Sequence, residues 1–145
     1  MPRIKLKERP FYAFCYKTSL KIRDINYGKH LSNDAVVSLL HEARIYMLQH
    51  LGLSELDLGD GKTGMMMADL AVNYKNEGFL GDEIKIHLNI DEINKKSFRV
   101  FYKMERAGDL IVLAETGIVM NDYQAKSAAT IPKIFLTRLK QYQQP

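Results

Sequence analysis

A polar segment from Asp24 to Ser32 contains the residue types that can act on a carbonyl group. It brings Asp24, Asn26 and His30 close together in sequence. Histidine is the usual group for moving a proton near neutral pH, and an asparagine amide can hold a water or donate to an oxygen. We predict a catalytic role for His30 and Asn26, with Asp24 either orienting His30 or holding the turn. The alternative is a purely structural turn, in which Asn26 and His30 bond only to nearby backbone.

A long helix is predicted to begin directly after this segment. Ser32 and Asn33 are both suitable N-cap residues, and Gly52 is a natural C-terminal stop. Between them apolar residues recur with the helical period: Val36, Leu39, Leu40, Ala43, Met47 and Leu51. The start of a helix has free backbone N–H groups and the positive end of a dipole. The N–H of Asn33 is therefore predicted to donate to a developing oxyanion.

Glu42 lies on this predicted helix and is a second candidate for proton transfer. It would supply the carboxylate that the turn lacks at Asn26. The alternative is a structural ion pair with Arg44 or another cation, which is the commoner role of a helix carboxylate. Residues two positions apart on a helix do not face each other, so Glu42 and Arg44 are not placed for direct pairing.

The remaining sequence is dominated by strand patterns. Runs of aromatic, β-branched and alternating residues predict strands near 10–23, 65–74, 82–91, 95–106 and 110–120, followed by a short helix or extended tail over 131–141. One long helix needs a sheet to cover it. We therefore predict one α+β domain, residues 1–145, in which a curved antiparallel sheet of about five strands wraps round the helix. The outer face of that sheet would also need a cover, which self-association would supply.

Composition narrows the class of protein. The chain has 145 residues, 46% of them hydrophobic, and a net charge of +4. No apolar run is long enough to cross a bilayer, so we expect no membrane partner and a cytoplasmic location. The modest positive charge suits an acidic ligand, whereas nucleic acid is disfavoured because no element collects its Lys and Arg on one face. Cys15 is the single cysteine, and the histidines lack ligand spacing, so no disulfide and no metal is expected.

The order of these motifs resembles the hot-dog fold, and within it the 4-hydroxybenzoyl-CoA thioesterase-like branch. That branch often shows D-x-D-x-x-G-H-x-N-N at the turn and E-x-A-R on the helix. The matching positions here are Asp24, Asn26, His30 and Asn33 in the turn, and Glu42, Ala43 and Arg44 on the helix. Weaker similarities follow at 73–75, 81–83 and 95–98. The resemblance covers roughly residues 11–122 and is carried by the spacing of the motifs.

This resemblance implies an acyl-CoA thioesterase that hydrolyses an acyl-CoA to a free acid and coenzyme A. It implies a homodimer or homotetramer with a shared site, no metal or bound cofactor, and coenzyme A only as part of the substrate. Lys95 and Lys96 match a basic pair that lies near the coenzyme A nucleotide. The main departure is Asn26, because the branch usually has its catalytic Asp there. The alternatives are a non-catalytic acyl-CoA-binding or assembly module and, more weakly, a dehydratase of the same fold.

Lys29 and Ser32 are two further departures from the motif of this branch. Lys29 stands where the branch has the glycine before its histidine, while Gly28 lies one position earlier. Ser32 replaces the first asparagine of the Asn-Asn pair. An amide cannot accept a proton as a carboxylate does, so the resemblance leaves the base to be supplied by His30 or Glu42.

Overall fold

The structure is a single antiparallel sheet with one long helix lying on it, in a computed structural model that describes residues 1–143. The strands are β1 (Phe14–Ser19), β2 (Thr63–Tyr74), β3 (Glu83–Asp91), β4 (Ser97–Arg106), β5 (Asp109–Asp122) and the short β6 (Ser127–Ala128), and the helices are α1 (Asn33–His50) and α2 (Lys133–Lys140). The strand order is β1-β3-β4-β5-β2, and β6 pairs with β5. The predicted α+β architecture is confirmed.

Helix α1 begins and ends where the sequence signals place its limits. The Ser32 hydroxyl caps the helix by accepting the N–H of Ala35 at 3.4 Å. Gly52 follows the last turn with a φ of 72°, a left-handed conformation that glycine adopts without strain. The apolar stripe between them is buried, and Leu40 and Met47 are fully inaccessible to solvent. Burial of this stripe against the sheet fixes the position of the helix start.

The outer face of the sheet is covered in part by residues 4–12 of the same chain. The Asn73 side chain accepts the N–H of Leu6 at 2.7 Å and donates to the carbonyl of Ile4 at 2.8 Å. Farther along, the Arg9 guanidinium lies 4.0 Å above the ring of Phe101, which is only 4% exposed although it points outward. The N-terminal segment thus buries the apolar centre of this face, and self-association through the remainder stays a prediction.

The inner side of β2 is left uncovered, because the backbone of α1 lies over β1 and β3 instead. Met67, Leu70 and Tyr74 point to the helix side but are 43%, 37% and 50% exposed. Of the Met65–Met67 run, Met65 is buried, whereas Met66 and Met67 are exposed. β2 is also the end strand of the sheet. It therefore presents both a free edge and an apolar face.

An ion-pair cluster spans three strands on the outer face. Arg99 bonds both carboxylate oxygens of Asp69, at 2.7 and 3.1 Å, and reaches Glu115 at 3.1 Å. Gly117 lies beneath, and a Cβ there would fall 2.4 Å from Asp69 Oδ2. The Arg99 hydrogen bonds hold the pKa of Asp69 below its usual value. The charged form of the Asp69 carboxyl therefore stabilises the folded state.

We expect the free energy of unfolding to decrease as the pH falls, and to do so less steeply in Asp69→Asn. A carboxyl whose folded pKa is lowered stabilises the fold above its unfolded pKa, about 3.9, and that contribution is lost on acidification below about pH 5. Urea unfolding at pH 7 and at pH 3 measures the difference. Arg99→Met should reduce the slope as Asp69→Asn does. Parallel pH curves for the three proteins would show that this pair is not coupled to folding.

Candidate functional site

The polar segment after β1 forms a closed turn that brings Asn26 and His30 together. The Asn26 N–H donates to the His30 carbonyl at 2.9 Å, and the Lys29 N–H donates to the Asn26 carbonyl at 3.0 Å. The Asn26 amide oxygen also lies 3.4 Å from the His30 N–H. Asn26 is exposed and the His30 ring is partly exposed. Asn26 is therefore bonded to the backbone of His30, as the structural alternative predicts, and on this accessible turn the Asn26 amide oxygen and His30 Nε2 both lie beside Gly28.

Lys29 holds the left-handed conformation of this turn, with a φ of 68°, while Gly28 has no positive φ. Lys29 thus replaces the glycine of the motif and still adopts a left-handed backbone conformation. We expect Lys29→Gly to raise the free energy of unfolding by about 0.5–1 kcal/mol, because a Cβ is unfavourable in this region. Chemical denaturation measures the change, with Lys29→Ala as the control that retains the Cβ. Equal free energies of unfolding for Lys29→Gly and Lys29→Ala would show that a Cβ at position 29 does not strain the turn.

Asp24 holds the turn and does not orient His30. Its buried carboxylate accepts the Lys21 N–H at 2.8 Å, and its carbonyl accepts the Ser32 N–H at 2.9 Å. The acidic group beside the histidine is instead Glu77, whose carboxylate lies 3.8 Å from His30 Nε2. The orienting role that the sequence suggests for Asp24 is therefore corrected. Glu77 follows β2, and no feature of the sequence places it opposite His30.

The start of α1 lies beside this turn and offers a hydrogen-bond donor. Within residues 1–143, the Asn33 N–H has no protein acceptor. Tyr74 lies next to it, since its hydroxyl donates to the Asn33 carbonyl at 3.1 Å. At the next position, hydrogen bonds from the Ser32 hydroxyl and from its own backbone N–H lower the pKa of the Asp34 carboxyl. The helix start therefore already stabilises one negative charge, and the Asn33 N–H is free for another.

Tyr74 forms the link between the helix start and the apolar face of β2. Burial, with a smaller contribution from Asp34, raises the pKa of its phenol, so the hydroxyl stays protonated and keeps its hydrogen bond. The sequence shows Tyr74 only as a strand residue, and its contact with α1 depends on the packing of the sheet. An accessible surface thus runs from the turn across the helix start to Leu70 and Met67.

Glu42 is not brought to the turn within one chain. It lies nine positions beyond Asn33, which places it on the opposite side of the helix, about 14 Å along its axis. Its carboxylate accepts the Tyr16 hydroxyl at 3.2 Å. Arg44 donates instead to the Tyr102 hydroxyl at 3.1 Å and lies 3.6 Å from Glu55. Within one chain, Glu42 therefore neither lies beside Asn26 nor pairs with Arg44, and its role in proton transfer stays a prediction.

Lys95 and Lys96 lie in the hairpin between β3 and β4, with exposed side chains. Their carbonyls accept the N–H groups of Ile131 and Met120, which ties the hairpin to the C-terminal segment. In the sheet register this hairpin is next to the Met67 end of β2, whereas the turn that holds Asn26 and His30 is next to the Tyr74 end. The separation along the strands is about 20 Å. One chain therefore does not join these lysines to the turn.

Other kinds of chemistry receive little support from the described residues. Burial raises the pKa of the half-buried Cys15 thiol, which disfavours a thiolate nucleophile. Among residues 1–143, no cluster of three or more His, Cys, Asp or Glu side chains is arranged to hold a metal ion. In the same part of the chain, neither helix has the length and apolar character needed to span a bilayer.

Comparison with known proteins places the chain in a family. The pattern of the thioesterase-like superfamily matches residues 20–139, which include the turn, helix α1 and strands β2 to β6. The chain belongs to this superfamily. No curated protein matches it in sequence. The resemblance drawn from the motif spacing is thus confirmed at the level of the superfamily.

Solved structures of the thioesterase-like superfamily share the fold. The 1,4-dihydroxy-2-naphthoyl-CoA thioesterase from Synechocystis superposes with a TM-score of 0.81 at 18% identity, over 91% of this chain and 98% of that one. A gentisyl-coenzyme A thioesterase gives 0.77 at 20% identity, over 87% and 99%. A Staphylococcus aureus protein solved in complex with CoA gives 0.83 at 18% identity, over 91% and 85%. The hot-dog fold is confirmed.

Proposed function

We propose that this superfamily member hydrolyses an acyl-CoA thioester to a free acid and coenzyme A. The observation that carries the proposal is the free Asn33 N–H at the start of α1, beside the turn that pairs Asn26 with His30. Thioester hydrolysis needs an oxyanion donor, a placed water and a group that takes its proton. These parts lie next to one another on an accessible surface.

In the proposed reaction, the thioester carbonyl lies against the start of α1 and accepts the Asn33 N–H. Asn26 holds the attacking water, and His30 Nε2 takes a proton from it while Glu77 stabilises the imidazolium. The tetrahedral intermediate collapses as the C–S bond breaks, and His30 returns the proton to the leaving coenzyme A thiolate. No metal or bound cofactor takes part, and coenzyme A enters only within the substrate.

A two-fold dimer through β2 would complete this site. Antiparallel pairing of two β2 edges about an axis near Leu70 places the Met67 end of one strand beside the Tyr74 end of the other. The Lys95–Lys96 hairpin lies at the Met67 end, so the partner's basic hairpin would approach this chain's turn. Lysine ammonium groups suit coenzyme A phosphates. In the dimer, the lysines of the partner's hairpin would therefore bring positive charge to the turn, whereas the lysines of the same chain lie about 20 Å from it.

Leu70→Lys should convert the dimer to a monomer and lower kcat/KM together with it. Near the two-fold axis the substitution sets two like charges opposite each other on a strand edge, a device that prevents edge pairing. Analytical ultracentrifugation and turnover, measured on the same samples, check the result. Leu80→Lys is the matched control, because Leu80 is exposed in the loop after β2 and should change neither quantity. A monomeric Leu70→Lys variant with full turnover would exclude a shared site.

Release of free thiol from a panel of short, long and aromatic acyl-CoAs tests the activity itself. The second candidate function is a non-catalytic acyl-CoA-binding or assembly module, which Asn26 favours because an amide cannot replace the carboxylate of the motif as a base. That function predicts saturable acyl-CoA binding without turnover. Thiol release above the uncatalysed rate on any member of the panel decides for the hydrolase, and binding without release decides for the module.

A further inference from the structure

A second concave surface lies between α1 and the edge strand β1, on the side of the helix opposite the Asn33 donor. It has a volume of about 380 Å³. Its lining consists of Tyr16, His41, Glu42, Ile45, Tyr46 and Gln49, and we call it the tyrosine groove. The proposed hydrolysis uses none of these residues. The groove therefore needs an explanation of its own.

Glu42 is a half-buried carboxylate in this groove without a cationic partner among residues 1–143. One oxygen accepts the Tyr16 hydroxyl at 3.2 Å, and within that range the other has no hydrogen bond. Its nearest basic neighbours on α1 are engaged elsewhere: His41 bonds Glu55 at 2.9 Å, and Arg44 pairs with Glu55 and Tyr102. The residues one helical turn away from Glu42 carry no positive charge. The carboxylate is thus placed to accept a cation from outside the chain.

Two tyrosine rings stand beside this carboxylate as a wedge. The ring centroids of Tyr16 and Tyr46 are 5.2 Å apart, with the planes inclined by 45°, and His50 continues the row 5.3 Å beyond Tyr46. Burial, assisted by Glu42, raises the pKa of Tyr16, so its hydroxyl stays protonated. Neutral phenol rings keep an electron-rich face that attracts cations. The groove thus combines aromatic faces with one full negative charge.

We propose that the tyrosine groove binds the quaternary ammonium group of a small molecule. A trimethylammonium group has no N–H to satisfy and is weakly hydrated, so it gains from aromatic faces what a primary ammonium would lose in water. The Glu42 carboxylate complements its charge from the side of the groove. This binding does not depend on thioester hydrolysis, because the groove and the catalytic turn lie on opposite sides of α1.

Choline titrated into the intact protein tests the proposal, with the tyrosine ring resonances followed by NMR. The matched neutral compound is 3,3-dimethyl-1-butanol, which has the same shape with carbon in place of the charged nitrogen. We expect saturable shifts for Tyr16 and Tyr46 with choline, and at least about threefold weaker binding of the alcohol. Glu42→Gln, which retains the bond to Tyr16, and Tyr46→Leu should each weaken choline by a similar factor. Tyr27→Leu, at the exposed tip of the turn, should not change it.

Three results would overturn the proposal: equal binding of choline and the neutral alcohol, choline binding that both groove variants leave unchanged, and the absence of any shift. Sedimentation with phosphatidylcholine vesicles distinguishes two sources of the same group. Vesicle binding that Glu42→Gln abolishes would identify a lipid headgroup, and choline binding without vesicle binding would identify a free compound. Since thiol release is measured separately, failure here leaves the thioesterase proposal intact.

Discussion

His30→Ala is expected to lower kcat for acyl-CoA hydrolysis by about 100-fold or more, with a smaller change in KM. General base catalysis by a placed histidine contributes about 10²–10⁴-fold, and no other imidazole lies in the turn. The oxyanion donor is a backbone N–H, which the substitution leaves in place, so a residual rate above the uncatalysed reaction remains.

His41→Ala is the matched control for this experiment. His41 is also exposed, and its ring nitrogen bonds Glu55 at 2.9 Å, as the His30 ring lies near Glu77. It belongs to α1, however, and does not border the turn or the free N–H of Asn33. We expect its turnover to stay within about twofold of wild type, a loss far smaller than that expected for a general base. A His30→Ala enzyme with the wild-type rate on a confirmed substrate would remove His30 from the mechanism.

Much of the fold can be predicted from the sequence because each element carries a local signal. Helix α1 has a cap at Ser32, an apolar period and a glycine stop, and the β4–β5 hairpin turn carries left-handed conformations at Ala107 and Gly108. The sequence does not show which segments of the chain bury which faces of the sheet. The burial of Phe101 under residues 4–12 depends on contacts between segments far apart in sequence, and no local pattern reports it.

The candidate site divides in the same way. Asn26 and His30 are close in sequence, and one turn is enough to bring them together. Tyr74 and Glu77 join them only through the position of β2 in the sheet, so they appear in the structure and not in the motif. Glu42 differs from Tyr74 and Glu77, because it belongs to the motif but does not lie near the turn within one chain. Its motif is real, but helix geometry and the Tyr16 hydroxyl direct the carboxylate to the other side of α1.

Arg44→Met is expected to lower the free energy of unfolding by about 3 kcal/mol. The Arg44 side chain is only 7% exposed, donates to the Tyr102 hydroxyl at 3.1 Å, and lies 3.6 Å from the partly buried Glu55. Tyr102 in turn bonds Thr116 at 2.9 Å, so the guanidinium is one end of a polar chain through the core. Removing one partner of such a network leaves the others without compensation, at a cost of about 3–5 kcal/mol for a fully buried pair. Partial exposure of Glu55 places the expected loss at the lower end.

Glu42→Gln is the control from the same motif, and its stability should change by less than about 0.5 kcal/mol, as for surface substitutions away from special features. Glutamine retains an acceptor for the Tyr16 hydroxyl, and Arg44 keeps its own partners. Urea unfolding of both variants, with Arg44→Met combined with Glu55→Gln as a third, measures the coupling. Because Arg44→Met leaves the Glu55 carboxylate with His41 as its only partner among residues 1–143, the double variant should recover part of the loss. Equal destabilisation by Arg44→Met and Glu42→Gln would mean that the buried Arg44 network stabilises the fold no more than Glu42 does.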